Sequence, residues 1–525
     1  MLTDDSLEFA RNHITSFYDT DFYPKPFEFS ALWHSWAEVK IYLINTSLAQ
    51  AHTTNPRVLP WAKARGGYRI VHQLEPLDSI IYTALVYLAA ENIESSRMDS
   101  STACSYRIEV DDNSFFAKGS GFSAYRESCE RLGQIYEYVL STDISDFYNQ
   151  IYLHRVGNII DSVGAPEGLG KAIENFLSRL NNKASQGIPV GPAASIILAE
   201  AVLIDVDQFI SNHHVEHVRY VDDFRIFSDS KDQLSEILEN LVVYLHDQHR
   251  LGLVSEKTSI RTAEEFLHEE LQNQYQMEKL EILNEIEAGN QYGAYESDGD
   301  DEFESEEEEY DAGDYQWMGA DEDGERTNEA EDIGGALLDA LIRARNFGYV
   351  DLAVLRAIIR RAKYAQTPSL AEFLLNDIDF YTPIINDVCL YLISLSQGDL
   401  KPLVPLLSNL CRKSTLQKRS VRVWMEWLFT RDAIFLTDQN IRRYAYEGAV
   451  SSAASGALVQ KNIAWSKEAK QKVLTSASWD RRSYIHSLKN LSKDETKKYI
   501  DFIKRNPSLT HTDKWICEWV IAGYP

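Results

Sequence analysis

Apolar and polar residues alternate in two parts of the chain in the way that predicts β-strands. Between residues 134 and 153, β-branched and aromatic residues alternate with polar ones, and the pattern ends near Asp143. Residues 215–227 repeat this pattern and predict a β-hairpin whose turn is Asp222-Asp223. Two further strand-like pieces flank Gly66-Gly67, a dipeptide that is typical of turns.

Helical spacing of apolar residues lies between and after these strands. It covers residues 77–93, 193–211 and 232–250, and in the last of these one face of the predicted helix collects the hydrophobic side chains. A charged helix is predicted for residues 269–287. Together, the strands and helices predict a small sheet with helices behind it, which places this half of the chain in the α+β class.

After residue 333 only the helical period remains. The predicted helices are at 335–347, 350–363, 369–376, 383–397, 402–411, 418–430, 439–449, 467–476, 482–490, 493–505 and 513–522. Their regular spacing predicts helix pairs stacked as a HEAT-like helical repeat, although the sequence contains no clean repeat. The predicted domains are an N-terminal helical extension (1–54), a sheet-containing domain (55–268), a charged helix with an acidic linker (269–332) and an α-helical repeat domain (333–525).

Charge is unevenly distributed along the chain, whose formal net charge is −28. Residues 296–332 contain 19 acidic residues and one basic residue, which predicts a disordered acidic linker. A second interpretation of this segment is a nucleic-acid mimic that occupies a basic groove and inhibits the protein. Residues 333–525 contain 28 Lys and Arg against 18 Asp and Glu, which fits either a nucleic-acid-binding domain or a solvated surface.

Composition excludes several classes of protein. The sequence has 44% hydrophobic residues, enough for a large core, but no uninterrupted apolar run that would span a membrane. The first eight residues are acidic and do not resemble a secretory signal. Five scattered cysteines without a CxxC pair predict a reducing compartment, the cytoplasm.

Three carboxylates stand at the predicted strand ends. Asp143 closes one apolar strand, and Asp222 and Asp223 join two others. If the strands are neighbours, the three side chains converge, and clustered carboxylates are costly without cations between them. Hard oxygen ligands of this kind suit magnesium, with manganese as an alternative, and two such ions would serve phosphoryl transfer. The backbone carbonyl of Ile144 is a further candidate ligand.

Four segments in order carry a family resemblance. They are Asp143-Ile-Ser-Asp-Phe-Tyr148, Gln186-Gly-Ile-Pro-Val-Gly-Pro-Ala-Ala-Ser195, Tyr220-Val-Asp-Asp223 and Leu251-Gly-Leu-Val-Ser-Glu-Lys257. They resemble motifs A, B, C and D of the reverse transcriptase palm. A lone YxDD recurs by chance, whereas four motifs in order are specific. The resemblance implies a right-hand fingers-palm fold over residues 55–268, and an RNA-directed DNA polymerase that consumes deoxynucleoside triphosphates.

The resemblance also implies roles for individual side chains. Asp143, Asp222 and Asp223 would hold the metal ions, and Lys257 would be the acid for the pyrophosphate leaving group. Tyr148 would be the steric gate against a ribose 2′-hydroxyl, with a core aromatic as the alternative. The remaining nucleotide-binding candidates are Gln186 and Gly187 in the palm loop, Arg69 in the fingers, and the weaker candidates Lys63 and Arg65. Lys257 and Arg69 also have ordinary interpretations as solvated surface cations.

Two further segments of the sequence favour one subclass of reverse transcriptase. Phe122-Ser-Ala-Tyr-Arg126 and Arg219-Tyr-Val-Asp-Asp-Phe-Arg-Ile-Phe227 resemble bacterial abortive-infection and defence-associated reverse transcriptases. That subclass implies antiphage defence, RNA and DNA partners that include a cognate noncoding RNA in some members, and template-independent, protein-primed synthesis in others. It further implies a homo-oligomer, a trimer or a hexamer. The alternatives are an RNA polymerase and a catalytically silent nucleic-acid-binding scaffold that retains the palm.

Overall fold

The structure is a computed structural model of the chain. It describes residues 2–18, 20–46, 54–111, 113–117, 119, 121–271, 273–288 and 328–523. Most of the predicted acidic linker (296–332) lies outside the described residues, and its last five residues already belong to the helix Asn328–Asn346. Within the described part of the chain, no helix is long and apolar enough to cross a membrane.

Among the described residues, six strands form two antiparallel sheets. They are β1 (Arg57–Ala62), β2 (Tyr68–Gln73), β3 (Tyr138–Asp143), β4 (Glu216–Tyr220), β5 (Asp223–Ser228) and β6 (Ser259–Thr262). β1 and β2 form a hairpin by themselves, and the other four follow the order β4-β5-β3-β6. β3 is internal, and residues 139–143 are buried along its whole length, as expected for a strand with neighbours on both sides.

Helices of the first half of the chain pack on the four-stranded sheet and on one another, and Phe122–Gly133, Ala193–Ser211 and Lys231–Tyr244 contact the sheet directly. The helices of this half are Asp4–Phe17, Glu28–His34, Trp36–Asn45, Pro76–Ser96, Phe122–Gly133, Phe147–Gln150, Leu153–Ser162, Leu169–Leu180, Ala193–Ser211, Lys231–Tyr244, Ala263–Phe266 and Gln274–Ala288. Pro76–Ser96 and Ala193–Ser211 contact each other and are apolar on most faces, so both lie inside the core. The predicted helices at 77–93 and 193–211 are therefore confirmed.

The second half of the described chain is helical. Its α-helices are Asn328–Asn346, Leu352–Tyr364, Ala371–Asn376, Ile385–Ile393, Gln397–Leu400, Val404–Leu410, Arg419–Phe429, Gln439–Tyr446, Val450–Val459, Ile463–Lys472, Ser478–Ser487, Lys493–Ile503 and His511–Ala522. The sequence pattern misses Val450–Val459, because its Ser, Ala and Gly residues give little apolar contrast. The α+β class and the helical C-terminal region are both confirmed.

The β1–β2 hairpin shares a hydrophobic core with the helical region. Leu59, Trp61 and Val71 of the hairpin belong to the same buried cluster as the helices between 352 and 445. The indole Nε1 of Trp61 donates a hydrogen bond of 3.0 Å to the carbonyl of Pro383. The N-terminal helix Glu28–His34 packs against the last helix, His511–Ala522. The two halves of the chain are thus joined by buried contacts that no local sequence pattern predicts.

Candidate active site

The register of two neighbouring strands brings the predicted carboxylates together. β3 pairs with β5 so that Asp143 lies directly opposite Asp223. Directly paired residues on antiparallel strands point to the same face of the sheet, with Cβ atoms about 4.5–5.5 Å apart. β4 pairs with β5 up to Tyr220 opposite Asp223, so the hairpin turn is Val221-Asp222. The predicted turn at Asp222-Asp223 is therefore wrong by one residue, because Asp223 already pairs within the sheet.

The turn has an unusual backbone conformation. Val221 has a φ angle of 53°, in the left-handed region that a β-branched residue rarely adopts. Its N–H donates a 2.9 Å hydrogen bond to the hydroxyl of Ser105, which in turn donates one of 2.7 Å to Glu200. Strain of this kind persists only where surrounding contacts fix it, and it is common at functional sites.

A buried ion-pair network supports Glu200. Arg97 and Arg219 donate hydrogen bonds to its Oε2, at 2.8 and 2.7 Å, and neither guanidinium is exposed to solvent. Arg219, the residue before the Tyr-Val-Asp-Asp motif, also binds Asp207 at 2.8 Å. Buried charges are stable only when they are paired and hydrogen-bonded, and these are. The network fixes Glu200, and Glu200 in turn accepts the hydrogen bond from the Ser105 hydroxyl that binds the carboxylate turn.

Two cationic side chains neutralise two of the carboxylates. Lys257 donates a hydrogen bond to Asp143, and Arg225 donates one of 2.6 Å to Asp223. Burial, and then the negative charge of Asp143, raises the pKa of Asp222 from 3.8 to about 6. Burial also raises the pKa of Asp223, while Arg225 opposes that rise. The site is therefore crowded with negative charge, and the highest cost falls on Asp222.

The donor chemistry fits a divalent cation. All three side chains offer carboxylate oxygens, which are the ligands preferred by magnesium and manganese. Within the described part of the chain, no three Asp, Glu, His or Cys side chains converge on a metal-sized site. Asp143 and Asp223 are instead held in ion pairs with Lys257 and Arg225, which supply positive charge at this place.

The segment that carries Lys257 is fastened to the end of β3. The N–H of Val254 donates to the carbonyl of Asp143 at 2.9 Å, and the N–H of Ser145 donates to the carbonyl of Gly252 at 2.8 Å. Ile144, the predicted backbone ligand, donates its own N–H to the carbonyl of Asp222 at 3.1 Å. These bonds bring the predicted residues Asp143, Ile144, Asp222 and Lys257 into one place.

The predicted Tyr148 and palm-loop residues are joined by backbone hydrogen bonds. The carbonyl of Tyr148 accepts from the N–H of Ile188 at 3.0 Å, and the N–H of Gly187 donates to Ile151 at 2.8 Å. Gly187 has a φ of 88°, a conformation that favours glycine. Burial, together with Tyr106, Glu200 and Asp222 nearby, raises the pKa of Tyr148.

The fingers hairpin is joined to the same loop. His72 of β2 donates its N–H to the carbonyl of Val190 at 2.8 Å, and its Nδ1 accepts from the N–H of Val190 at 3.0 Å. Burial lowers the pKa of His72 to about 4, so the ring is neutral and Nδ1 is free to accept. The three predicted fingers cations, Lys63, Arg65 and Arg69, are exposed at the end of this hairpin.

A cavity of about 1050 Å³ opens beside Asp223, and its described lining does not include Asp143 or Asp222. Arg65 lines it together with Asp223 and Lys257, whereas the described lining does not include Arg69 or Lys63. The opposite wall comes from the helical region, where the ring of Tyr349 lies 4.9 Å from the Arg65 guanidinium. Tyr275 and Phe347 continue that wall. Sequence reasoning predicted no contribution from the helical region to this cavity.

Sequence reasoning also missed residues that support the site. Arg219 and Arg225 flank the Tyr-Val-Asp-Asp motif within otherwise apolar strands, and charged residues at such positions signal buried partners. Nothing in the sequence around Ser105 indicated a buried partner, because a single serine in a loop is an ordinary surface residue.

Comparison with known proteins identifies the domain around this site. The sequence profile of the family described as "Reverse transcriptase (RNA-dependent DNA polymerase)" matches residues 62–284. None of the curated proteins compared with the chain matches it.

Solved structures similar to this chain include three structures of two telomerases. The apo telomerase from Candida tropicalis is 11% identical with a TM-score of 0.32, and the match covers 76% of this chain and 74% of that one. A form of it truncated at the C-terminal domain is 12% identical with a TM-score of 0.30, and the match covers 40% of this chain and 49% of that one. The Candida albicans telomerase, solved with a fragment of telomeric RNA, is 11% identical with a TM-score of 0.29, over 76% of this chain and 70% of that one. Likenesses this weak say nothing about substrate or partner.

The matched residues contain the three aspartates, β2 and the segment that carries Lys257, whereas most of β1 and the wall at Phe347 and Tyr349 lie outside the match. The predicted enzyme class is confirmed for this part of the chain. Residues 62–284 form a reverse transcriptase domain, which is an RNA-directed DNA polymerase and a nucleotidyltransferase.

Proposed function

We propose that this protein transfers deoxynucleoside monophosphates onto a growing strand at the site formed by Asp143, Asp222 and Asp223. The observation that carries the proposal is the direct pairing of Asp143 with Asp223, with Asp222 in the adjoining turn. Two divalent cations held by these carboxylates would activate the primer hydroxyl and neutralise the triphosphate. Magnesium is the favoured ion and manganese the alternative.

Other side chains have roles that follow from their positions. Arg65 at the cavity wall is the cation best placed for the triphosphate, with Arg69 and Lys63 farther along the same hairpin. Lys257 protonates the pyrophosphate as its bond to the α-phosphorus breaks, after leaving Asp143. Its side chain is 61% exposed, so it moves at little cost.

Substrate choice rests on the residues beside the turn. Tyr148 would exclude a ribose 2′-hydroxyl, and Gln186 and Gly187 would support the incoming nucleotide from the opposite side. The hydrogen bonds from Gly187 and Ile188 to the segment after Asp143 favour this arrangement, because they fix the loop relative to the gate.

The biological setting belongs to the same proposal. The resemblance of the motifs to defence-associated reverse transcriptases supports a role against phage, with RNA or DNA as template or product and a trimer or hexamer as the assembly. All five cysteines are free and buried, which supports the cytoplasm as the compartment. A cognate noncoding RNA and a protein hydroxyl primer are both compatible with the open cavity.

Incorporation of labelled deoxynucleotides by the purified full chain tests the catalytic proposal. The assay compares the wild type with Asp222→Asn and with Asp232→Asn, an exposed acid at the start of the next helix. We expect incorporation to require a divalent cation, to be lost in Asp222→Asn and to be normal in Asp232→Asn. Equal incorporation by all three would exclude this site, and efficient use of ribonucleotides would favour the RNA polymerase alternative. Wild-type incorporation at background, with phage protection unaffected by Asp222→Asn, would favour the silent scaffold.

A further inference from the structure

A second large cavity lies away from the carboxylates. It measures about 1020 Å³ and is enclosed by the N-terminal segment at 23–30, the base of the β1–β2 hairpin and the helices between 423 and 523. None of the described residues that line it also lines the cavity over Asp223. Nearly all of its wall lies outside residues 62–284, so the polymerase domain does not account for it. Its volume is in the range of pockets that bind small ligands.

The wall of this cavity is strongly cationic. Its basic side chains are Lys25, Arg57, Arg431, Lys461, Lys489 and Lys493. The carboxylates in the wall are Glu28 and Glu426. Burial raises the pKa of both acids, and Glu426 already binds Arg422 outside the cavity at 2.7 Å. The excess of positive charge in a concave, partly enclosed surface selects an anionic ligand.

Aromatic rings also line the cavity. Phe27 stacks on His486 at a centroid distance of 4.2 Å, and Trp519 lies parallel to Phe27 at 6.0 Å. The Arg57 guanidinium lies 3.9 Å from the centre of the Trp479 ring. The Lys489 Nζ lies 3.2 Å from the centre of the Trp519 ring, and burial lowers the pKa of this lysine to about 7, so that an anion beside it would favour the charged form. Cations that are held against aromatic faces in this way are suited to a ligand that has both a ring and an anionic group.

Two aromatic side chains in the wall carry buried hydrogen-bond donors that have no acceptor. The Tyr23 side chain is buried, with 4% of the residue exposed, and its hydroxyl has no hydrogen-bond partner. The indole Nε1 of Trp479 is likewise buried without a partner. A buried polar atom without a partner costs free energy, and in native proteins such atoms usually mark a missing ligand or water. Both donors therefore call for an acceptor-rich molecule in the cavity.

We propose that this cavity binds a nucleotide, with its phosphate among Arg57 and Lys489 and its base among the aromatic rings. Phosphate oxygens match the cations, and the base edge offers acceptors to Tyr23 and Trp479. A free nucleotide and the 5′-phosphorylated end of a strand share this chemistry. The site is separate from the proposed polymerase site and does not depend on it.

Calorimetric titration of the full chain tests this site. The protein carries Asp222→Asn and is kept in EDTA, which suppresses metal-dependent binding at the carboxylates. The probes are adenosine 5′-monophosphate, inorganic phosphate, and a short oligonucleotide with and without a 5′-phosphate. The test variants are Lys489→Gln and Tyr23→Phe, and the control is Lys498→Gln, an exposed lysine on the same helical region that does not line the cavity.

We expect one nucleotide to bind to each chain. Lys489→Gln should weaken its binding tenfold or more, because a charge-assisted hydrogen bond is lost. Tyr23→Phe should weaken it severalfold while raising the melting temperature of the free protein, since a buried unpaired hydroxyl is removed. Lys498→Gln should bind as the parent does.

The arms of the titration separate the sources of the ligand. Tight binding of the mononucleotide assigns a free nucleotide, and binding confined to the 5′-phosphorylated oligonucleotide assigns a strand end. Phosphate that binds as tightly as either would overturn the nucleotide assignment, as would affinities unchanged by Lys489→Gln and Tyr23→Phe, or no binding at all. A chain that binds the nucleotide but never incorporates deoxynucleotides would contradict only the proposed polymerase function.

Discussion

Replacing Ser105 by alanine isolates the contact that holds the carboxylate turn. Its hydroxyl accepts from the N–H of Val221 at 2.9 Å and donates to Glu200 at 2.7 Å, and the residue is fully buried. In Ser105→Ala, Glu200 keeps both of its arginine partners, whereas the Val221 N–H loses its acceptor. The Val221 backbone, at a φ of 53°, then lacks the bond that offsets its unfavourable conformation.

The size of the effect follows from this lost acceptor. Leaving a buried donor unsatisfied costs about 1–3 kcal/mol. If Asp222 is misplaced as a result and the whole cost is added to the activation free energy of nucleotidyl transfer, kcat falls about 5- to 150-fold. The KM for deoxynucleotides should change far less, because Ser105 touches neither the fingers hairpin nor the palm loop. Steady-state incorporation with varied deoxynucleotide concentration separates the two constants.

Ser101→Ala is the matched control. Ser101 lies on the same loop and bonds Asp99 at the surface, so its loss should leave kcat unchanged. A Ser105→Ala protein that melts at a lower temperature but keeps wild-type kcat would refute the reasoning. In that case the bond would stabilise the loop without positioning the turn.

Three further predictions concern charge, gating and pH. Asp222→Asn should raise the melting temperature of the metal-free protein near pH 7.5, with the gain disappearing as the pH falls below 6, because the carboxyl whose pKa is about 6 is then protonated in the wild type. Calorimetry that shows the same gain at pH 4 and pH 7.5 would contradict this. Tyr148→Ala should increase ribonucleotide use relative to deoxynucleotides at least tenfold in competition assays; an unchanged ratio would mean that Tyr148 is only a packing residue. The pKa of His72 is lowered from 6.5 to about 4, so its stabilising effect is complete above pH 6.5 and decreases as the pH falls towards 4. Denaturant unfolding should therefore show a smaller loss of stability between pH 6.5 and 4 in His72→Gln than in the wild type, and equal losses would contradict the neutral hydrogen bond to Val190.

The carboxylate cluster could be predicted from the sequence because each acid ends a strand with a strong local pattern. Asp143 follows an apolar run, and Asp222 and Asp223 lie between two others. If these strands are neighbours in the sheet, their ends bring the three carboxylates together. The turn position could not be predicted, because valine disfavours the left-handed conformation that Val221 adopts. A long-range contact with Ser105 overrides that local preference.

The contacts between the two halves of the chain were beyond sequence reasoning for a different reason. Trp61 and Pro383 are more than 300 positions apart, and nothing in either local pattern identifies the other. The same holds for Arg65 and Tyr349 at the wall of the active-site cavity. Helix positions in the C-terminal half follow from amphipathic spacing, whereas the surfaces that those helices present to the fingers hairpin depend on tertiary packing.

The central claim is that Asp143, Asp222 and Asp223 jointly hold the divalent cation on which nucleotidyl transfer depends. Titration with Mn²⁺, with the free ion followed by electron paramagnetic resonance, tests this most directly in the presence of a deoxynucleoside triphosphate. The account predicts saturable binding in the wild type and in Asp232→Asn, and weakening of tenfold or more in Asp143→Asn and in Asp222→Asn. Binding of equal affinity in all four proteins would contradict it.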